Sequence, residues 1–100
     1  TAIMLANAIS EALPYKPELV YDRHAVRKRR EPNEIGMHAI RGGTIAGEHD
    51  ILFCGIDEVI TLSHSASSKG VFAVGALKAA LFMASGKEPG LYNMKDMLKL

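Results

Sequence analysis

The chain has 100 residues and a formal net charge of +1, with 48% hydrophobic and 23% charged residues. This length predicts one domain at most, and the composition is typical of a globular chain rather than a disordered one. The nearly neutral charge argues against wholesale binding to nucleic acid or to an anionic membrane. No apolar run approaches the roughly 20 residues that span a bilayer, and no signal peptide is evident, so we expect no membrane partner.

One cysteine, Cys54, excludes an intrachain disulfide framework and favours a reducing cytoplasm as the compartment. Three histidines are also of zinc-binding type: His38, His49 and His64. They fall on three different predicted strands and share no ligand spacing with Cys54. We therefore expect no metal site, and we interpret the histidines as hydrogen-bonded at sheet ends or at a subunit contact.

The first predicted helix runs from Thr1 to Leu13, with Thr1 as its N-cap and Pro14 ending it. Because this helix starts at residue 1 with no leader, we expect the chain to be a domain of a longer protein. A long exposed connection follows over residues 14–34, with a short strand around Leu19 to Tyr21. Its basic residues, Arg23 and Arg27 to Arg30, fit either a phosphate or nucleic-acid patch or a solvated loop balanced by nearby acids. No aromatics are interleaved with the charges, which favours the solvated loop.

Three antiparallel strands are predicted next: Ile35 to Arg41, Glu48 to Ile56, and Val59 to Ser65. The second strand is apolar on both faces, so we expect it to be covered on both sides, by a helix and by another subunit. Residues 55–58 read as its hairpin turn. The glycines of residues 42–47 also read as a hairpin turn, because a phosphate loop would precede a helix.

A second long helix is predicted from Lys69 to Ser85, capped by Ser67 or Ser68, with Gly86 at its left-handed end. It is apolar almost all round, which predicts burial on more than one side. A short helix, Met94 to Leu98, is capped by Asn93. The order of elements predicts an α+β fold, a small and largely antiparallel sheet with helices on one face.

The cluster Ser65 to Lys69 stands where a strand ends and this helix begins. Backbone N–H groups and the helix dipole favour an anion there, and Lys69 adds a formal charge. Contact with a ligand carboxylate or phosphate and plain helix capping remain equally open from these residues alone.

Several ordered motifs together resemble one family, 4-hydroxy-tetrahydrodipicolinate reductase, also called dihydrodipicolinate reductase. The resemblance covers essentially all 100 residues and is most specific from Ile35 onward. Residues 40–49 resemble its R-x-G-x-x-x-G-E-H segment, and residues 62–68 resemble its T-H-x-A-S-S segment. Residues 72–76 and 90–98 are similar to its closing helix and its G-x-Y-x-M-x-D-x-L tail.

The resemblance implies that residues 1–100 are the C-terminal substrate-binding and tetramerisation domain, with the N-terminal Rossmann domain absent from this chain. It implies a cytoplasmic homotetramer, assembled through the sheet, that reduces a cyclic dicarboxylate imine with NADPH or NADH in lysine and diaminopimelate biosynthesis. The family's catalytic histidine and proton-donating lysine precede the residue matched by Thr1. We therefore expect no catalytic residue in this chain, no cofactor bound to it and no activity from it alone.

Three residues match family site positions. Thr1 matches a threonine that donates to a substrate carboxylate. Lys69 stands where relatives often have an arginine that reaches toward the cofactor, and lysine keeps the charge without the bidentate fork. Phe72 matches a phenylalanine near the cofactor, although a helical phenylalanine is more often core.

The alternative to a reductase domain is a stand-alone oligomerisation or interaction module without catalysis. The two-sided apolar strand, Glu48 to Ile56, favours self-association under either interpretation. Nucleic-acid binding through Arg27 to Arg30 is a third interpretation, which predicts a steep salt dependence of binding.

Overall fold

The computed structural model describes residues 1–100, which form two compact units, Thr1–Gly43 and Thr44–Leu100. Its helices and strands together make an α+β fold, as the sequence predicts. In chain order these are α1 (Ala2–Ala12), β1 (Glu18–Val20), β2 (Glu34–Gly36), β3 (Gly47–Cys54), β4 (Val59–Ala66), α2 (Gly70–Ala84) and α3 (Met94–Leu98).

The first unit begins with α1, close to its predicted bounds. Thr1 is the N-cap residue, and its carbonyl accepts a 3.0 Å hydrogen bond from the amide of Leu5. Ala6 is the buried residue of the helix, and its carbonyl accepts a 2.7 Å bond from the Ser10 hydroxyl. The helix ends at Ala12, and its C-cap residue Leu13 has the extended backbone that suits a residue before proline.

The remainder of the first unit holds a small parallel sheet. β1 and β2 pair in parallel, with Leu19 opposite Ile35. The prediction of a seven-residue strand from Ile35 to Arg41 is wrong, because β2 pairs only along the three residues that β1 offers. The prediction that this strand joins the later antiparallel ones is wrong for the same reason: its partner is β1. Residues 42–47 therefore do not form a hairpin turn between paired strands, although Gly43 has a φ of +48°, which favours glycine.

The second unit is built on an antiparallel ribbon of β3 and β4, which confirms that predicted hairpin. Cys54 lies opposite Val59, and the intervening turn is closed by a 2.9 Å bond from the amide of Gly55 to the carbonyl of Glu58. Asp57 adopts a left-handed φ of 59°, a conformation that aspartate tolerates in turns.

The register divides the ribbon into two faces, because side chains alternate along each strand. One, called here the His49 face, carries His49, Ile51, Phe53, Ile60, Leu62 and His64. The other, called the Glu48 face, carries Glu48, Asp50, Leu52, Cys54, Val59, Thr61, Ser63 and Ser65. On the Glu48 face, Ser63 donates a 2.5 Å hydrogen bond to Asp50 and Ser65 a 3.0 Å bond to Glu48.

α2 begins over the His49 face and ends as predicted, with Gly86 in the left-handed conformation at φ 73°. Its predicted cap is wrong. Lys69 occupies the N-cap position with no side-chain cap bond, while the Ser68 hydroxyl accepts a 3.1 Å bond from the Gly70 amide. The expected burial of α2 is also wrong for this chain taken by itself, because no α2 residue is buried. Nothing within the chain covers so uniformly apolar a helix.

The end of the chain is locally ordered by side-chain contacts. The Tyr92 ring meets the Phe82 ring edge-on at 5.9 Å, and the ammonium of Lys87 lies 4.3 Å from the centre of the Phe82 ring. α3 is closed by the predicted cap. The Asn93 side chain accepts from the amides of Lys95 and Asp96, and the Asp96 carboxylate accepts from the Asn93 amide, which completes a capping box.

Very little of the apolar surface is buried within the chain. Ala6, Pro17 and Ala66 are its buried residues, and the accessible surface is 9136 Å². Two separate compact bodies with the masses of the two units would expose about 6,700 Å². The chain therefore leaves about 2,400 Å² uncovered beyond what compact folding of each unit predicts.

Candidate functional site

The best-defined polar corner of the second unit is the turn from β4 into α2. Ala66 ends the strand as one of the buried residues, at 6% exposure, and so anchors the turn. Three hydrogen bonds then fix the backbone around Lys69. The Ser68 hydroxyl accepts from the Gly70 amide, and the Lys69 carbonyl accepts from the amides of Phe72 and Ala73 at 3.1 and 3.3 Å. The corner therefore holds the lysine backbone in one conformation.

The side chain of Lys69 is exposed and forms no ion pair, since both salt bridges in the structure involve Glu34. A cation at a helix N-terminus faces the positive end of the helix dipole, so this placement does not stabilise the helix. An anion bound beside Lys69 would be attracted both by its ammonium and by the positive end of the helix dipole. The corner is therefore chemically suited to a carboxylate or a phosphate.

Phe72 lies close to Lys69, one helical turn further along α2. A Cβ placed on Gly47 would lie 3.8 Å from the Cζ of Phe72, 3.7 Å from the Cε1 of His49 and 4.0 Å from the Cβ of Ala66. The tip of the ring therefore lies next to Gly47, which faces Ala66 across the ribbon. Phe72 remains 52% exposed, which leaves an aromatic surface free for a flat ligand.

Thr1 lies in the other unit. It is exposed, and its hydroxyl makes no cap hydrogen bond to α1, so both its donor and its acceptor remain available. Of the three predicted site residues, the structure brings Lys69 and Phe72 together at the start of α2. Thr1 lies at the start of α1, in the first unit, and so is not grouped with Lys69 and Phe72.

The basic loop is organised by one acidic residue. Glu34, whose side chain is only 8% exposed, pairs with Arg23 and lies 3.8 Å from the ammonium of Lys28. Arg23 also donates a 3.1 Å bond to the Lys28 carbonyl. Arg27, Arg29 and Arg30 are exposed and form no ion pairs. Two of these five cations, Arg23 and Lys28, thus have a structural role, which supports the solvated-loop interpretation.

The structure contains no group of three or more histidine, cysteine, aspartate or glutamate side chains that could hold a metal ion. His38 lies after β2 rather than on a strand, which corrects its predicted placement. His49 and His64, in contrast, lie directly opposite each other in the β3–β4 register. Sequence reasoning missed this pairing, although the predicted turn at residues 55–58 already implied it by counting outward from Cys54 and Val59.

None of the helices is long and apolar enough to cross a membrane.

The fold is α+β, with an exposed lysine and an exposed phenylalanine at the start of α2, and comparison with known proteins assigns the family. The family model described as dihydrodipicolinate reductase, C-terminus, matches residues 1–98. The chain belongs to this family, and the resemblance inferred from the motifs is confirmed.

Three of the similar proteins carry the same name. The chain is 59% identical over 99 residues to the 4-hydroxy-tetrahydrodipicolinate reductase of Caldanaerobacter subterraneus subsp. tengcongensis, covering 99% of this chain and 39% of that protein. It is 52% identical over 98 residues to the reductase of the same name from Clostridium botulinum, covering 98% of this chain and 38% of the relative. The Brachyspira hyodysenteriae reductase is 47% identical over 98 residues, covering 98% of this chain and 42% of the relative. The chain thus spans about two fifths of the length of these curated relatives.

Proposed function

We propose that this chain is the substrate-binding and oligomerisation domain of a 4-hydroxy-tetrahydrodipicolinate reductase of lysine and diaminopimelate biosynthesis. The observation that carries the proposal is the family match over residues 1–98, joined to 59% identity with a reductase of that name. The reductase takes a hydride from NADPH or NADH and a proton from an acidic group of the enzyme. Both additions occur at the imine bond of a cyclic dicarboxylate. Its proposed location is the cytoplasm, where both nicotinamide cofactors are supplied.

In this proposal residues 1–100 form one functional domain that supplies ligand contacts but no catalytic residue. The catalytic histidine, the proton-donating lysine and the Rossmann domain belong to the part of the reductase outside these residues. The isolated chain therefore binds no cofactor and reduces nothing. This division is supported by the coverage of the relatives, of which the chain spans about two fifths.

Lys69 and Phe72 are proposed as the contacts on the cofactor side. The support is the unpaired charge of Lys69 on a fixed backbone and the half-exposed ring of Phe72 beside it. The ammonium suits a phosphate or a carboxylate, and the ring suits a flat heterocycle. Thr1 is proposed as a substrate contact, since its free hydroxyl can donate to a carboxylate.

Self-association, as a tetramer through the β3–β4 ribbon, is the second part of the proposal. Its support is the surplus of about 2,400 Å² of exposed surface, roughly three times what each partner buries in a standard interface. Both ribbon faces contribute apolar side chains: Phe53 is 43% exposed on the His49 face, and Leu52 is 58% exposed on the Glu48 face. Covering such surface stabilises an assembly by about 25 cal/mol per Å² of apolar area.

The alternative, an interaction module without catalysis, also predicts assembly, so activity must decide between them. The full-length protein and residues 1–100 are purified separately, and oxidation of NADPH and NADH is followed with the cyclic substrate. We expect turnover from the full-length protein and none from the domain. A full-length protein that binds neither nicotinamide would overturn the reductase proposal and favour the module.

Assembly is tested on the same full-length protein by light scattering at tens of micromolar. Phe53→Asp and Leu52→Asp place one charge on opposite faces of the ribbon, and each serves as the control for the other. The variant that dissociates identifies the face against the partner copy. A monomeric parent protein would refute the assembly.

A further inference from the structure

Two imidazoles face the same side of the ribbon at directly opposite positions. His49 of β3 pairs with His64 of β4 in the antiparallel register. The Cβ atoms of directly opposite residues lie about 4.5–5.5 Å apart in such a ribbon. This separation lets two histidine side chains converge on one point above the strands.

Neither imidazole is engaged elsewhere. His49 and His64 make no side-chain hydrogen bond and no ion pair in the structure. His49 is partly buried, with its ring leaning over Gly47, whereas His64 is exposed and its ring is free to turn. A neutral imidazole keeps one ring nitrogen as an acceptor, so each histidine has a lone pair to offer.

We propose that His49 and His64 form a two-histidine chelate for a borderline transition-metal ion such as Zn²⁺ or Ni²⁺. A zinc ion binds imidazole nitrogen at about 2.0–2.1 Å, so its two nitrogen ligands lie roughly 3.3 Å apart in tetrahedral geometry. Two side chains rooted about 5 Å apart meet that requirement by rotating toward each other. Water completes the coordination, since the protein supplies two ligands.

The surrounding residues define which ions the chelate selects. The nearest carboxylates along β3, Glu48 and Asp50, belong to the Glu48 face, where serine hydroxyls already bond them. The chelate thus offers nitrogen and no oxygen from the protein. Imidazole suits Zn²⁺, Ni²⁺ and Cu²⁺, whereas Mg²⁺ and Ca²⁺ require oxygen ligands.

A bound ion would join β3 to β4 beside the start of α2. The Cε1 of His49 and the Cζ of Phe72 both lie within 4 Å of the Cβ position of Gly47. Metal binding therefore links β3 to β4 at the end of the ribbon that lies next to Phe72 of α2. Binding stabilises the folded state increasingly as the free ion concentration rises above the dissociation constant, because the unfolded chain lacks the paired geometry.

The test uses the full-length protein, with calorimetric titration of zinc chloride and nickel chloride and with magnesium chloride as the negative probe. His49→Asn and His64→Asn are compared with His38→Asn, a matched control on a histidine in the other unit. We expect both transition ions to bind the parent and the control at one site per chain that each single variant lacks. Magnesium gives no heat. Sites elsewhere in the longer protein persist in all variants and are subtracted.

A second measurement needs no variant. The unmodified protein is treated with an imidazole-acylating reagent with and without zinc, and the modified histidines are identified by mass spectrometry. We expect zinc to protect His49 and His64 together and to leave His38 reactive. Binding that survives both single substitutions, binding lost in only one of them, or protection of neither histidine would overturn the chelate.

Discussion

Replacing Lys69 by alanine in the full-length protein tests whether its ammonium contacts a ligand or only supports the fold. The ammonium forms no ion pair and faces the positive end of the α2 dipole, so the helix loses nothing when it is removed. An exposed charge near a helix terminus contributes a few tenths of a kcal/mol, here unfavourably. The melting temperature of the variant should therefore stay the same or rise by about one degree.

The Lys69→Ala substitution should weaken ligand binding and so raise KM. One charge-assisted hydrogen bond to a carboxylate or phosphate is worth about 1–2 kcal/mol, which corresponds to a rise of about 5- to 30-fold in KM. The assay is steady-state oxidation of nicotinamide with substrate and cofactor varied in turn, so that the affected ligand is identified. Lys69→Arg should retain most of the affinity, because it preserves the charge.

Lys78 is the matched control, since it is an exposed lysine in the same helix with no ion pair. Lys78→Ala should leave both KM values unchanged. If Lys69→Ala also leaves KM for both ligands at the parent value, Lys69 is a solvated surface residue and the proposed anion contact is wrong.

Gly47→Val should destabilise the domain by about 1–3 kcal/mol in denaturant titration, because its methyl groups enter the space against the Phe72 ring, whereas Gly47→Ala fits at ordinary contact distance. Equal stability of both variants would show that the ring does not rest there. Asn93→Ala removes the acceptor for two α3 amides and should cost about 1 kcal/mol of local stability, seen as faster hydrogen exchange over residues 94–98; unchanged exchange would contradict this role for the cap. Glu34→Gln weakens the ion pairs that hold the basic loop and should speed tryptic cleavage at Arg27 to Arg30, and an unchanged cleavage rate would show that the loop is held by other contacts.

Elements with complete local signals were predictable from the sequence. The β3–β4 hairpin follows from two apolar runs joined by a Gly-containing turn, and α3 follows from its Asn93 cap. The left-handed end of α2 follows from Gly86, since glycine adopts a positive φ without a steric penalty. Each of these signals lies within a few residues of the structure it determines.

Features set by distant partners were not predictable in the same way. β2 is three residues long because the length of β1 limits it, and no pattern within residues 35–41 carries that information. The cap of α2 differs because the helix begins at Gly70 rather than at Lys69. Lys69 is therefore the N-cap residue, and Ser68 lies one position before it. Of the site, the proximity of Lys69 and Phe72 follows from helical spacing alone, while the pairing of His49 with His64 follows only once the turn at residues 55–58 fixes the register of β3 and β4.

The open ribbon also has a consequence for how the protein is made. β3 and β4 hydrogen-bond only to each other, so the outer edge of each strand presents unpaired backbone groups beside the apolar run Ile51 to Cys54. Such edges can template aggregation of newly made chains. Asp50 precedes this run and Asp57 follows it closely, so that two like-charged strands repel when they approach in register. Neutralising both aspartates should therefore lower the yield of recoverable protein.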